Sequence, residues 1–136
     1  MRNAQQALGR YGEEVAARRL ERDGLRILER NWRCAQGELD IVALEGDTVA
    51  VCEVKTRSEQ GFQRPEEALD QTRGERLRTL AERWLSERWP AHFTRLAEVA
   101  VPGPVPLPPG GVRIDLVAVV SRARGAARVE HLRGVV

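Results

Sequence analysis

The stretch from Gly37 to Arg57, GELDIVALEGDTVAVCEVKTR, constrains this chain more than any other. Two apolar, β-prone runs, Leu39 to Leu44 and Val49 to Val54, flank a Glu-Gly-Asp turn, the pattern of a β-hairpin. Asp40 falls inside the first run. Glu53 and Lys55 follow in the second strand, two residues apart, so their side chains share one face. If Glu45 to Thr48 form a four-residue connection that pairs Leu44 with Val49, antiparallel counting sets Asp40 opposite Glu53. A three-residue loop breaks that register unless a bulge restores it, and the sequence admits both. Directly opposed like charges destabilise a sheet, so a facing carboxylate pair calls for a cation between its members, and an oxygen-rich site favours a hard divalent metal. Glu38, two residues before Asp40, shares its face if the strand begins early and is then a reserve metal ligand; otherwise it belongs to the turn.

As an exposed ion pair on a half-solvated strand, Glu53 and Lys55 would contribute under about 1 kcal/mol. Composition argues for more. Of the 22 lysines and arginines, Lys55 is the only lysine. Lysine is a compact ammonium whose pKa responds to its surroundings, which suits it to act on a water or an alkoxide. That singles out Lys55 for a chemical role.

The chain has 136 residues, the size of one domain with one core. No apolar run approaches the roughly 20 residues needed to span a bilayer, and the N-terminus lacks the apolar stretch of a signal peptide. A cytoplasmic protein with no membrane association is therefore expected. Cys34 and Cys52 form no metal-binding or redox motif and read as free thiols. The net charge is only +2. Concentrating the acids at a metal site would still leave a basic surface of arginines suited to bidentate phosphate contacts, although genomic base composition also produces an arginine excess.

Around the hairpin, residues Ala4 to Asp23 read as a helix, with Leu8, Tyr11, Val15 and Leu20 near one side and Gly24 as its stop. Glu14 has Arg10 and Arg18 one turn away, a solvated ion-pair pattern. Glu13 instead projects among Gly9, Ala16, Ala17 and Leu20, and an inward carboxylate needs a partner, either an arginine of the sheet or the hairpin site. Leu25 to Arg33 alternates as a first strand. A polar loop follows Arg57 as far as Pro65, and Pro65 to Leu69 reads as a helical turn. Thr72 to Glu75 has the spacing of a capping box opening a helix with Leu77, Leu80, Ala81, Trp84 and Leu85 on one face, ended by Pro90. Residues 91–111 hold five of the seven prolines and read as a Pro-rich linker or insertion with no packing of its own. Val112 to Val120 and Arg128 to Leu132 read as strands, with Asp115 in a hydrogen-bonding or supporting role.

A helix with an inward glutamate, a strand, a hairpin bearing D…E-x-K, then a helix and further strands resembles the core of the PD-(D/E)XK nuclease superfamily. More closely, GRYGE at Gly9 to Glu13, RNWR at Arg30 to Arg33, GELD at Gly37 to Asp40, VCEVKTR at Val51 to Arg57 and IDLVAV at Ile114 to Val119 resemble the YraN family of bacterial proteins, itself similar to archaeal Holliday-junction resolvases. The resemblance implies an α/β, restriction-endonuclease-like fold with a central mixed sheet flanked by helices, one domain over residues 1–136. It implies Mg²⁺ (or Mn²⁺) held by Asp40 and Glu53 with help from Glu13, and Lys55 orienting or activating the attacking water. The implied activity is metal-dependent endonuclease action on DNA, structured or branched, in recombination or repair, with a C2 homodimer if four-way junctions are cut. A catalytically silent module that binds nucleic acid or a protein partner, and an RNA nuclease, are the alternatives. Arg73 stands where relatives tend to carry lysine, and Gly134-Val135-Val136 lacks an expected aromatic tail; both are expected to lie away from the metal site.

Overall fold

The hairpin takes the register of the four-residue connection. In the computed structural model, which describes residues 4–59, 69–98, 100 and 102–136, β2 (Gly37–Glu45) and β3 (Thr48–Ser58) pair Glu45 with Thr48, Leu44 with Val49 and Ile41 with Cys52. Gly46, at φ +60, fills the first central position of the turn, a conformation that glycine adopts without a Cβ penalty. Pairing stops at Ile41 and Cys52. Beyond that point β2 follows β1 (Arg26–Cys34), whereas β3 runs parallel to β4 (Val112–Ser121) as far as Ser121, so the two hairpin strands part like a fork. β5 (Arg128–Leu132) closes a five-stranded mixed sheet in the order β1-β2-β3-β4-β5.

Helix α1 (Ala4–Arg22) covers one face of the sheet, while α2 (Gln71–Glu87) and α3 (Trp89–Ala97) cover the other. Alternation along β3 supplies both cores: Val49 and Val51 pack towards α2 with Leu77, Leu80 and Trp84, whereas Ala50 and Cys52 pack towards α1 with Ala16, Ala17 and Leu20. The α1 core is made of small residues. The buried face of α1 is accordingly Gly12, Ala16, Ala17 and Leu20, and Tyr11, expected inside, is 45% exposed. A Cβ on Gly12 would lie 2.7 Å from Thr56 Cβ, so the helix touches β3 at a distance that only glycine permits.

Three expectations are corrected downstream of the hairpin. The cap of α2 is Asp70, whose side chain accepts from Arg73 N at 2.8 Å; Thr72 is already inside the helix. Pro90 does not end helical structure either. α2 stops at Glu87, Arg88 makes the corner, and Pro90 sits in the first turn of α3, where its missing N–H costs nothing. Residues 91–97 are thus helical rather than linker, and the prolines beyond are docked: Trp89 Nε1 donates to Pro106 O (3.0 Å), Val105 packs on the core, and Gly110 N donates to Asp47 O (2.9 Å) at the hairpin turn. The prolines supply rigid, hydrogen-bond-poor chain that fits over the turn. The polar loop and the helical turn read between Arg57 and Leu69 lie, but for their ends, outside the described residues. No helix among the described residues is long and apolar enough to cross a membrane.

Gly12→Ala is expected to destabilise the protein by about 1–3 kcal/mol through overpacking against β3, read as a lower urea midpoint at unchanged slope. Shortening the opposing side chain in Gly12→Ala/Thr56→Ala should recover part of that loss.

Candidate metal centre

The mouth of the fork is built from three elements. α1 delivers Glu13, one residue after the Gly12 contact; β2 delivers Glu38 and Asp40; β3 delivers Glu53 and Lys55. Carboxylate oxygens of Glu13, Glu38 and Asp40 all lie within 4.8 Å of one another and line an open cleft of about 740 Å³. Arg10, Arg30 and Arg33 stand on its rim. Glu38, the reserve ligand of the sequence reading, is thus a full member of this trio.

Asn31 organises the trio from β1. It lies opposite Asp40 in the register and takes φ +53, a left-handed conformation that asparagine tolerates better than most residues. Its amide, oriented by its acceptors, donates to Glu38 Oε1 and Glu13 Oε1, both at 3.1 Å. Nothing in the spacing of β1 announces this contact, because a lone Asn in a strand signals only an irregularity.

Asp40 sits where backbone pairing fails, and its Oδ2 accepts from Val54 N at 2.9 Å, replacing the missing ladder bond. Burial pushes its pKa up to about 8; the Val54 N–H pulls against that shift, and the Glu53 carboxylate, by charge and by a shared hydrogen bond, and Glu13 reinforce it. Burial also raises Glu13, with Glu38 as the next cause. Buried carboxyls whose ionisation is opposed first by burial and then by neighbouring carboxylates are ones that a divalent cation would help to ionise.

Glu53 is only 2% exposed and is claimed by a group placed elsewhere on sequence grounds. Arg73, on the first turn of α2, donates Nε to Glu53 Oε2 (2.7 Å) and Nη2 to Oε1 (3.0 Å). Arg73 therefore touches the site, contrary to expectation. The arginine comes 20 residues after its partner and on a different element, so strand periodicity could not reveal it. Lys55 Nζ stands 4.0 Å from Glu53 Oε2, as the i, i+2 spacing requires. The C-terminal valine is placed on the same helix instead: a Cβ on Gly74 would be 3.1 Å from Val136 Cγ2, and Arg78 Nη2 donates to Val136 O (2.8 Å).

Asp115 lies apart from this trio, fully buried, and accepts from Arg113 Nε (2.7 Å), Arg113 Nη2 (2.9 Å), His131 Nε2 (2.8 Å) and Gly134 N (3.0 Å). Burial opposes its ionisation, but His131, Arg113 and Gly134 outweigh it and hold the pKa down to about 2. Its role is the hydrogen-bonding one read from the sequence: it ties β4 to β5 and the C-terminal segment.

Fold and site together define a mixed α/β protein, a five-stranded sheet flanked by helices, with a carboxylate cluster at the mouth of its central hairpin. The model of the Uncharacterised protein family UPF0102 matches residues 12–119. Among UPF0102 proteins, that of Streptomyces coelicolor is 52% identical over 134 residues, covering 98% of this chain and 91% of the relative. That of Streptomyces griseus is 50% identical over 133 residues and 98% of both chains, and that of Beutenbergia cavernae 50% identical over 132 residues, 97% and 98% of the two. The chain belongs to UPF0102, the YraN family.

Opposite pH responses are expected from the two buried aspartates. Asp40 keeps a proton in the fold that the unfolded chain releases near its ordinary 3.8, so its contribution to metal-free stability is greatest below about pH 4, falls as pH rises and levels off above about pH 8. Asp115 contributes stability above about pH 4 that is lost as pH falls towards 2. Urea titrations from pH 2 to 9 should show Asp40→Asn abolishing the upper slope, and Asp115→Ala costing about 1–3 kcal/mol near neutrality by leaving the buried His131 ring and Gly134 N–H without their acceptor, while Arg113 keeps Glu45 (2.7 Å).

Proposed function

We propose that this protein is a metal-dependent phosphodiesterase acting on DNA, with a restriction-endonuclease-like core. The observation that carries the reading is the convergence of Glu13, Glu38 and Asp40 at the fork beside the Glu53–Lys55 pair. The element order α1-β1-β2-β3, followed by a helical crossover to the parallel strand β4, supports the same core.

The donor set is all oxygen and carries excess negative charge, which fits Mg²⁺ or Mn²⁺ and disfavours softer ions. Asp40, Glu13 and Glu38 would hold the ion, with Glu53 completing the set once freed from Arg73. When bound, the ion supplies Lewis acidity toward a phosphodiester. Asp40 must surrender its proton for this, so apparent metal affinity should rise about tenfold per pH unit until about pH 8. Lys55 places a point positive charge beside the ligands, where it orients water and stabilises the negative charge that grows on phosphate oxygens during attack. The rim arginines meet the flanking phosphates. Arg10 approaches from α1, and Arg30 and Arg33, held by Glu14 (3.1 Å) and Glu38 (3.3 Å), from β1. Cutting two symmetry-related strands of a branched substrate calls for a C2 homodimer.

Cleavage assays with Mg²⁺ or Mn²⁺ on linear, flapped and four-way DNA and on structured RNA test this directly. Asp40→Asn and Glu53→Gln should abolish cleavage while leaving the fold intact. Lys55→Arg should also abolish it yet keep DNA binding, because a planar guanidinium cannot occupy the point taken by an ammonium. Full cleavage by Lys55→Arg refutes the assigned role. DNA binding without turnover on any substrate identifies a silent binding module, and cleavage confined to RNA an RNA nuclease.

A further inference from the structure

The Arg73–Glu53 pair has a property that a merely structural ion pair lacks: it covers the one carboxylate of the site that does not open onto the cleft, although that carboxylate still touches Asp40. Glu13, Glu38 and Asp40 open onto the cleft, but Glu53 does not line it, being 2% exposed beneath both nitrogens of the Arg73 fork. Lys55, at 4.0 Å, is too distant to replace that bidentate bond. A buried carboxylate without a counter-ion is costly, so in the metal-free protein Arg73 supplies the positive charge that a cation would bring. The Arg73 side chain is 32% exposed and springs from a helix turn anchored independently by the Asp70 cap, so it can leave Glu53 without unravelling α2. A guanidinium matches a phosphate with the same two-pronged geometry that it offers a carboxylate.

We propose that Arg73 is an exchangeable counter-ion: it holds Glu53 until a divalent cation takes that carboxylate, and the freed guanidinium then binds a phosphate of the substrate. The inference rests on the metal-site reading above and adds its regulation. Metal and nucleic acid must then bind cooperatively, each raising the affinity for the other by the same factor, since each favours the state in which Arg73 is off Glu53. Neither ligand alone harvests the full set of contacts, so the site closes on metal chiefly when substrate phosphates are present to receive the arginine.

The test compares the full chain with Arg73→Gln at pH 8, measuring Mn²⁺ binding by electron paramagnetic resonance without DNA, and binding of a labelled four-way DNA with and without Ca²⁺. Arg73→Gln should bind Mn²⁺ at least tenfold more tightly, because the competitor is gone. It should bind DNA at least tenfold more weakly in Ca²⁺, and lose the mutual enhancement seen in the native protein. Unchanged or weaker Mn²⁺ binding overturns the exchange, as does undiminished DNA affinity. Failure of both proteins to bind Mn²⁺ overturns the metal site itself, which separates the two readings. Should Arg73→Gln not fold, ¹⁵N spectra of the native protein give the same answer: the Arg73 Nε–Hε signal, protected by Glu53, must lose that protection as Mg²⁺ is added with DNA absent. Its persistence at saturating Mg²⁺ refutes the proposal.

Discussion

Carboxylates brought together out of water repel one another, and much of the architecture answers that repulsion. At the fork each acid is met by a different element: Asp40 by its own retained proton and the Val54 N–H, Glu13 and Glu38 by the Asn31 amide, Glu38 further by Arg33, and Glu53 by Arg73. Those partners come from β1, β3 and α2, so the arrangement of the helices and the edge strand around the hairpin is tied to one electrostatic problem. The small-residue contact of α1 belongs to the same design. Had Gly12, Ala16 or Ala17 been larger, the helix would ride higher on the sheet and Glu13 would stay in solvent.

Asp40 and Asp115 show that burial by itself does not set the state of an acid. Burial is the largest influence on both, yet one is driven up to about 8 and the other down to about 2. The neighbours decide. Asp115 faces a guanidinium, an imidazole and a backbone N–H, all donors, whereas Asp40 receives one N–H and faces the carboxylates of Glu53, Glu13 and Glu38. The first is a finished structural joint; the second is left short of positive charge, the condition of a binding site.

Much of the hairpin was legible in the sequence because β-pairing is arithmetic: once Leu44 pairs with Val49, the partners as far as Ile41 and Cys52 follow, and the strand period places Lys55 beside Glu53, but the counting does not show that the strands part before Asp40 and Glu53 can pair. Glu13 was legible from helical geometry, since its i−4, i+3 and i+4 neighbours are small and apolar. The rest depended on contacts between elements. Arg73 reaches Glu53 from the following helix, Asn31 works by leaving the β region, and the partners of Asp115 are spread over β4, β5 and the segment after it. Pro90 misled because proline both ends and begins helices, and only its position relative to the corner at Arg88 decides which. The proline-rich stretch misled because composition reports stiffness, not whether a stiff segment has a surface to lie on.

β1 is an outer strand of the sheet, and its register shifts between Ile27 and Glu29 before Asn31 breaks the backbone conformation again. Its exposed positions include Arg26, Arg30 and Arg33. A rim that is kinked twice and lined with like charges offers no straight template for a foreign strand, which protects a β-rich chain from edge-to-edge polymerisation. Growth of the sheet by addition of a further strand is thereby directed to the opposite border, β5, whose short length of five residues limits how firmly any added strand could be held.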